Sequence, residues 1–337
     1  MSRVADVLLR LLKVYSPNGE ERVLEDVLIG VARELGLEAH SDQIGNVIAG
    51  DEDAEVALVS HYDTVPGELQ VEAVGGEIRG RGAVDAKGPL ASMLVAASLS
   101  EHPVMVAALV DEEGESKGAL SLLERSVPPY VIVGEPTNST GVVISYRGSA
   151  RLILECWSKG GHSSNPGRSA LDKLMEAVNL IRGYSFPGAS LSVIRLCGGS
   201  SYSVLPKSAS AEVDLRFSRR GDSRLILREL RELLGDDFRI ELRRVTEPVS
   251  VKLSDPVPRA LVRAIISFRG QPMLLKKLGT SDMNILAERT KSIAAYGPGK
   301  SELAHTDEEK VSVEELEFAV GVYLKAIDNL YSMASSY

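Results

Sequence analysis

Three short apolar runs stand out in the first 140 residues: VALVSHYD at 56–63, VMVAALVDEEG at 104–114 and YVIVGEPT at 130–137. Each is continuously apolar, is bounded by turn residues, and ends in histidine or carboxylate side chains. Runs of this kind predict strands buried on both faces, as in a parallel α/β sheet. Sites in open α/β sheets form beyond the carboxyl ends of such strands. His61, Asp63, Glu112, Glu113 and Glu135 are therefore expected at one crevice. The opening segment instead has helical spacing in Val4, Val7, Leu8, Leu11 and Leu12, and Ser16-Pro17 stops that helix.

From about residue 149 the strands become alternating or half-polar, which predicts an antiparallel sheet with one solvated face. RLILECWS at 151–158 is followed by a helical pattern over 170–184, strands SLSVIRL and ASAEVDLRF, a helix over about 222–234, and FRIELRRV. Strand, helix, strand, strand, helix, strand is the ferredoxin-like order. After about residue 250 the α/β style returns, with a helix near 256–268, strands PMLLKKL and SIAAY, and a long helix from about 313 opened by a Ser312/Glu315 capping box. The expected organisation is a catalytic α/β domain from residues 1–148 and 250–337 with a small α+β domain inserted at 149–249.

Composition narrows the class. The chain has 337 residues, 44% hydrophobic and 25% charged, as in an ordinary globular protein. A net charge of -9 argues against nucleic acid as the partner, because phosphate binding needs clustered positive charge. No run reaches transmembrane length, and the charged first segment lacks the uninterrupted apolar core of a signal peptide, so a cytoplasmic protein away from membranes is expected. Cys156 and Cys197 fall on separate strands without C-x-x-C spacing and read as buried thiols, with a bridge possible only if those strands are neighbours.

Residues two apart on an extended segment point the same way, so Asp63 can reach the far ring nitrogen of His61, as the partner of a metal-bound histidine does. A histidine among carboxylates suits zinc or a similar cation better than calcium. Adjacent Glu112 and Glu113 point apart, so one can bind metal while the other handles protons. An acidic solvated loop is the plainer reading of the same residues. Asp85 sits in RGRGAVDAKGP ahead of an apolar helix. The stretch fits neither G-x-G-x-x-G nor the Walker spacing, leaving a helix cap or a carboxylate bridging two metals. His305 and His162 lie in glycine-containing loops, AYGPGKSELAHTDEEK and GGHSSNPG, and could be ligand-facing or merely solvated. His40 and His102 have no constellation around them.

Taken together, SHYDTVP, GRGAVDAKG, DEEG, GEPT, GGHSSNP, GTSDMN and GPG followed by His305 stand in the order found in the M20 metallopeptidase family, which the chain resembles nearly end to end. The resemblance implies a dizinc α/β domain with a ferredoxin-like lid that dimerises. It makes His61, Glu113, Glu135 and His305 terminal ligands of two zinc or cobalt ions, Asp85 the bridge, Glu112 the general base for amide hydrolysis, and Asp63 the residue orienting His61. It gives His162 an oxyanion role in the partner subunit's site, Arg216 in DLRF a grip on a substrate carboxylate, and Gly279 and Thr280 the substrate-side turn. The chain departs from many relatives at Ser203, where they place asparagine three residues before the lid proline, here Pro206. Within the family it looks most like hydrolases that release lysine or ornithine from the acidic amino-group carrier protein LysW, which implies a basic entrance from Arg147, Arg151, Lys159 and Arg168. The alternatives are a deacylase or carboxypeptidase on small substrates and a metal-binding protein without turnover; retention of Glu112 argues against the last.

Overall fold

The computed structural model describes residues 2–164 and 167–334. Asn165 and Pro166, the end of GGHSSNP, and the outermost residues of the expected catalytic domain lie outside the described residues. The chain divides into two compact units, one of Met1–Ser145, Ser250–Lys276 and Ser281–Tyr337, the other of Tyr146–Val249 and Lys277–Thr280.

In chain order the first unit begins with α1 (Arg3–Leu12), α2 (Glu25–Glu34), β1 (Ala39–Ser41), β2 (Val47–Gly50), β3 (Val56–His61), β4 (Glu72–Val74), β5 (Glu77–Arg79), α3 (Lys87–Leu99), β6 (Met105–Leu109), α4 (Lys117–Glu124), β7 (Tyr130–Gly134) and β8 (Gly141–Tyr146). Next come β9 (Gly148–Trp157), β10 (Gly161–His162), α5 (Ala170–Gly183), β11 (Ala189–Gly198), β12 (Val204–Leu205), β13 (Ser208–Phe217), α6 (Asp222–Leu234) and β14 (Phe238–Thr246). The chain then forms β15 (Val249–Ser250), α7 (Pro256–Ser267), β16 (Met273–Lys277), α8 (Asp282–Leu286), β17 (Ser292–Tyr296), β18 (Lys310–Ser312) and α9 (Val313–Ala334).

The large sheet runs β1-β2-β6-β3-β7-β17-β8-β15, with β16 added on β8. Its centre is parallel, β6 and β7 both pairing with β3, and β17 with β7. Every residue of β3, β6 and β17 is buried, as expected of strands covered on both faces. The flanks differ from a purely parallel expectation, because β2 runs antiparallel to β6 and β8 antiparallel to β17. Helix α3 is apolar almost all round, since it lies among α1, α9 and the sheet and has no solvated face. At the start of α9, Ser312 Oγ accepts the Glu315 N–H at 3.1 Å and Glu315 Oε2 accepts the Ser312 N–H at 3.0 Å, a reciprocal capping box.

The second unit is an antiparallel sheet in the order β11-β13-β9-β14 with α5 and α6 against it. This is the ferredoxin-like arrangement, and β13 alternates buried and open positions as a sheet with one covered face requires. Strand β13 separates β9, which carries buried Cys156, from β11, which carries exposed Cys197, so the two thiols are free and no bridge links them. Exposure of Cys197 corrects the expectation of two buried thiols: it lies at the end of an edge strand. The unit starts at Tyr146 rather than 149 and recruits Lys277–Thr280, a distant segment whose Thr280 Oγ1 lies 3.4 Å from Arg216 Nη1.

Candidate metal centre

The parallel register lines up the carboxyl ends of β3, β6 and β7, where His61, the Asp111–Glu113 turn and Glu135 follow. Gly134 permits this closeness: a Cβ there would stand 2.8 Å from Ser60 Oγ, which instead donates to the Gly134 carbonyl at 2.9 Å. His61 is buried, with Nδ1 3.0 Å from the Asp63 carbonyl and 3.4 Å from Asp63 Oδ1. Its other nitrogen, Nε2, is 3.1 Å from Asp85 Oδ1. The second oxygen, Asp85 Oδ2, lies 3.2 Å from His305 Nε2, which is 2.7 Å from Glu113 Oε1. His61, Asp85, His305 and Glu113 thus form one continuous chain of donors, and Asp85 presents each oxygen to a different imidazole. Asp85 does not act as a helix cap, for Ala86 takes the N-cap position of α3 and no side chain bonds there.

Asp63 does more than orient His61. Its Oδ1 accepts the Glu112 N–H at 3.2 Å, and its Oδ2 accepts the Glu113 N–H at 3.1 Å and Asn18 Nδ2 at 3.0 Å. The turn is tight: Asp111 has a left-handed φ of 64°, and a Cβ on Gly114 would lie 2.2 Å from Asp111 Oδ1. His305 also has φ 64°, a conformation histidine adopts more readily than most residues.

The electrostatics follow from this crowding. Burial alone would lower the pKa of His61, but Asp63 and Asp85 outweigh it and hold the imidazole well above its ordinary value. Contacts with Asp85 and Glu113 push His305 up to about 10. Burial pushes Asp85 up, yet its two histidines pull it well below the carboxylate range. Glu112 is raised well above that range by burial, with Glu135, Asp282 and Glu113 adding to the effect. Asp282, buried in α8, is raised to about 7 by burial. Such a concentration of carboxylates, with both histidines held protonated, suits replacement of those protons by cations. Ligand atoms of His61, Asp85 and Glu113 lie within 4.8 Å of one another, and nitrogen with oxygen donors fits zinc or a similar ion. Glu135 sits at the same sheet edge, and its charge is felt at Glu112.

The other expected residues lie in the second unit. Arg216 Nε donates to Asp214 Oδ2 at 2.8 Å, and Thr280 lies beside it as described. A Cβ on Gly279 would meet nothing within 4 Å, so packing does not demand glycine there. His162 is exposed, with Nδ1 2.8 Å from Ser164 Oγ and 3.2 Å from the Ser164 backbone nitrogen. Ser203 is exposed, and its carbonyl accepts the Ser163 N–H at 3.0 Å. Arg151, Lys159 and Arg168 are exposed, Arg168 pairing with Glu176. Arg147 Nη1 lies 3.4 Å from Ser190 Oγ.

Sequence reading missed Asn18, whose amide also donates to Asp111 Oδ1 at 3.0 Å, and Lys87, whose buried ammonium donates to the Val14 carbonyl at 2.8 Å. Only the turn signal of SPNG marked the first, and the second stood inside GRGAVDAKG without a role of its own. His40 and His102 stand apart, His40 near Glu52 at 3.6 Å and His102 stacked on Tyr331.

A family model described as peptidase family M20/M25/M40 matches residues 57–329. A protein of Aeropyrum pernix is 41% identical over 336 residues, covering 96% of this chain and 95% of its own. The LysW-lysine/LysW-ornithine hydrolase of Saccharolobus islandicus is 36% identical, with 98% of this chain and 96% of its own covered. Among solved structures, a tripeptidase from Staphylococcus aureus superposes with a TM-score of 0.87 at 18% identity, covering 98% of each chain. The YXEP protein of Bacillus subtilis, a dinuclear metal binding peptidase from the M20 family, does so with a TM-score of 0.77 at 16% identity, covering 98% of this chain and 97% of that one. These two show a shared fold. With the family match spanning most of its length, the chain belongs to peptidase family M20/M25/M40.

Proposed function

We propose that the protein is a two-metal amide hydrolase that releases lysine or ornithine from an acidic amino-group carrier protein of LysW type, in the lysine and arginine biosynthesis of the cytoplasm. The observation that carries the catalytic part is Asp85, whose two oxygens face two different histidines at the carboxyl edge of a parallel sheet, beside Glu112. His61 and Glu135 would hold one cation, Glu113 and His305 the other, with Asp85 shared between them and zinc or cobalt the suitable ion. When bound, the pair supplies positive charge at the scissile carbonyl and makes water easier to deprotonate.

The remaining steps belong to the protein. A Glu112 carboxylate oxygen takes the proton of the attacking water and delivers it to the leaving amine nitrogen. The turn that carries Glu112 is fixed by its N–H bond to Asp63, so the base is held without using its carboxylate. In a dimer, His162 serves the partner subunit's site, where its ring donates to the carbonyl oxygen as that atom gains charge. Arg216 takes the substrate carboxylate through the fork that Asp214 orients, with Gly279 and Thr280 as the turn beside it.

The substrate assignment is supported by the S. islandicus relative, a LysW-lysine/LysW-ornithine hydrolase, and by charge. Residues 146–249 carry more Lys and Arg than Asp and Glu, although the chain as a whole has 38 against 47. A homodimer through the second unit is supported by β11, an edge strand that pairs on one side only and exposes Ile194 and Leu196.

The deciding assay is release of free lysine and ornithine from carrier-linked substrates, compared with N-acetylornithine and N-acetyllysine, with zinc or cobalt supplied. Preference for the carrier-linked forms is expected; preference for acyl amino acids would make the protein a small-substrate deacylase. Charge reversal of Arg151 and Lys159 together is expected to lower kcat/KM for the carrier-linked substrate about tenfold or more and leave small-substrate turnover unchanged. Equal effects on both substrates would remove the docking role from these residues.

A further inference from the structure

Glu309 is buried, 1% exposed, four residues beyond His305 in the AHTDEEK stretch. Its Oε1 accepts three backbone N–H groups at once, from Gly82 at 3.0 Å, Val84 at 3.0 Å and Asp85 at 3.1 Å. Its Oε2 accepts from Arg81 Nη1 at 2.9 Å. Arg81, also buried, donates as well to the Thr306 carbonyl at 2.9 Å and, through Nε, to the Gly67 carbonyl at 2.8 Å. Convergent N–H groups of this kind make an anion-binding concavity, and here the chain fills it with its own carboxylate.

The arrangement is costly to build, because a buried carboxylate and guanidinium must both be desolvated, and such pairs contribute little net stability against apolar replacements. Its position suggests what it is for. One end fixes the backbone of Asp85. The other, through Arg81 and the Thr306 carbonyl, fixes the turn carrying His305. The Asp85 and His305 side chains, 3.2 Å apart, are thus referenced to one buried ion pair. Glu309 itself is turned to backbone and lies outside the His61, Asp85 and Glu113 group.

We propose that Glu309, with Arg81, is a positioning residue that sets the Asp85 carboxylate and His305 in register so that two cations, rather than one, are retained. The proposal rests on the two-metal reading given above. Partners that orient ligands in this way typically change metal affinity by about 10–100-fold when removed.

The test uses the full-length metal-free protein titrated with cobalt(II), followed by calorimetry and visible absorption, with thermal unfolding of each metal-free variant as a control for folding. E309A is expected to weaken the second ion, which would depend on both His305 and Asp85, about 10–100-fold, and the first, which would share only Asp85, by a clearly smaller factor. E309Q retains an oxygen for the three N–H groups but pairs poorly with Arg81, so it falls between E309A and the wild type. Unchanged binding of both ions in E309A, or equal loss of both ions in E309A and E309Q, would overturn the proposal. If E309A does not fold, E309Q decides alone: a second ion weakened by about threefold or more, and by more than the first, supports the assignment, and an unchanged second ion or an equal loss of both overturns it. A wild-type protein that takes up fewer than two ions overturns the two-metal reading itself, and the proposal with it, a result distinct from any loss confined to the variants.

Discussion

Replacing Glu112 by glutamine lowers kcat by about 10²- to 10⁴-fold while both metal ions stay bound. The size of the effect follows from the role: a glutamine amide cannot accept a proton from water, and a positioned general base contributes rate on that scale. Retention of metal follows from the geometry. The Glu112 backbone N–H, not its carboxylate, anchors the turn to Asp63, and the donor chain from His61 to Glu113 runs through other side chains. Glutamine has nearly the same volume, so burial is preserved. Steady-state kinetics with metal analysis of the same samples checks both halves. Near-normal turnover would take the base role from Glu112, and loss of an ion would make it a ligand.

Removing the metal with a chelator abolishes turnover, and added zinc or cobalt restores it with an affinity that rises steeply with pH. The sign comes from the histidines. Without cations, His61 is held well above its ordinary pKa and His305 at about 10, so both are protonated at neutral pH. A cation must displace those protons, and the apparent affinity therefore increases about tenfold per pH unit for each proton released. The rise continues through neutral pH and levels off for the His305 site as pH passes its value of about 10. Calorimetry in buffers of different ionisation enthalpy reads the proton count directly. Metal affinity independent of pH between 6 and 9 would show that these imidazoles are not ligands.

Much of the site was legible because it sits where chain direction puts it. Fully buried β3 and β6 read as apolar runs, and a parallel sheet carries the residues after such runs to one edge whatever the rest of the chain does. The insertion of residues 146–249 was legible because its strands change period, one face being covered by α5 and α6. The antiparallel flanks were not, since β1 and β2 are too short to show a period.

Sequence alone determined the types of donor, their order and the two styles of sheet, because periodicity and motif spacing are local properties. Tertiary structure decided what each donor faces. That Asp85 turns one oxygen to His61 and the other to His305 depends on a loop that Glu309 holds from 224 residues away. That Asp63 holds the Glu112–Glu113 turn as well as His61 depends on β3 and β6 lying side by side. Asn18, Lys87, Arg81 and Glu309 carry no periodic signature, because hydrogen bonds between distant segments are set by packing of the whole unit rather than by the residues beside them in the chain.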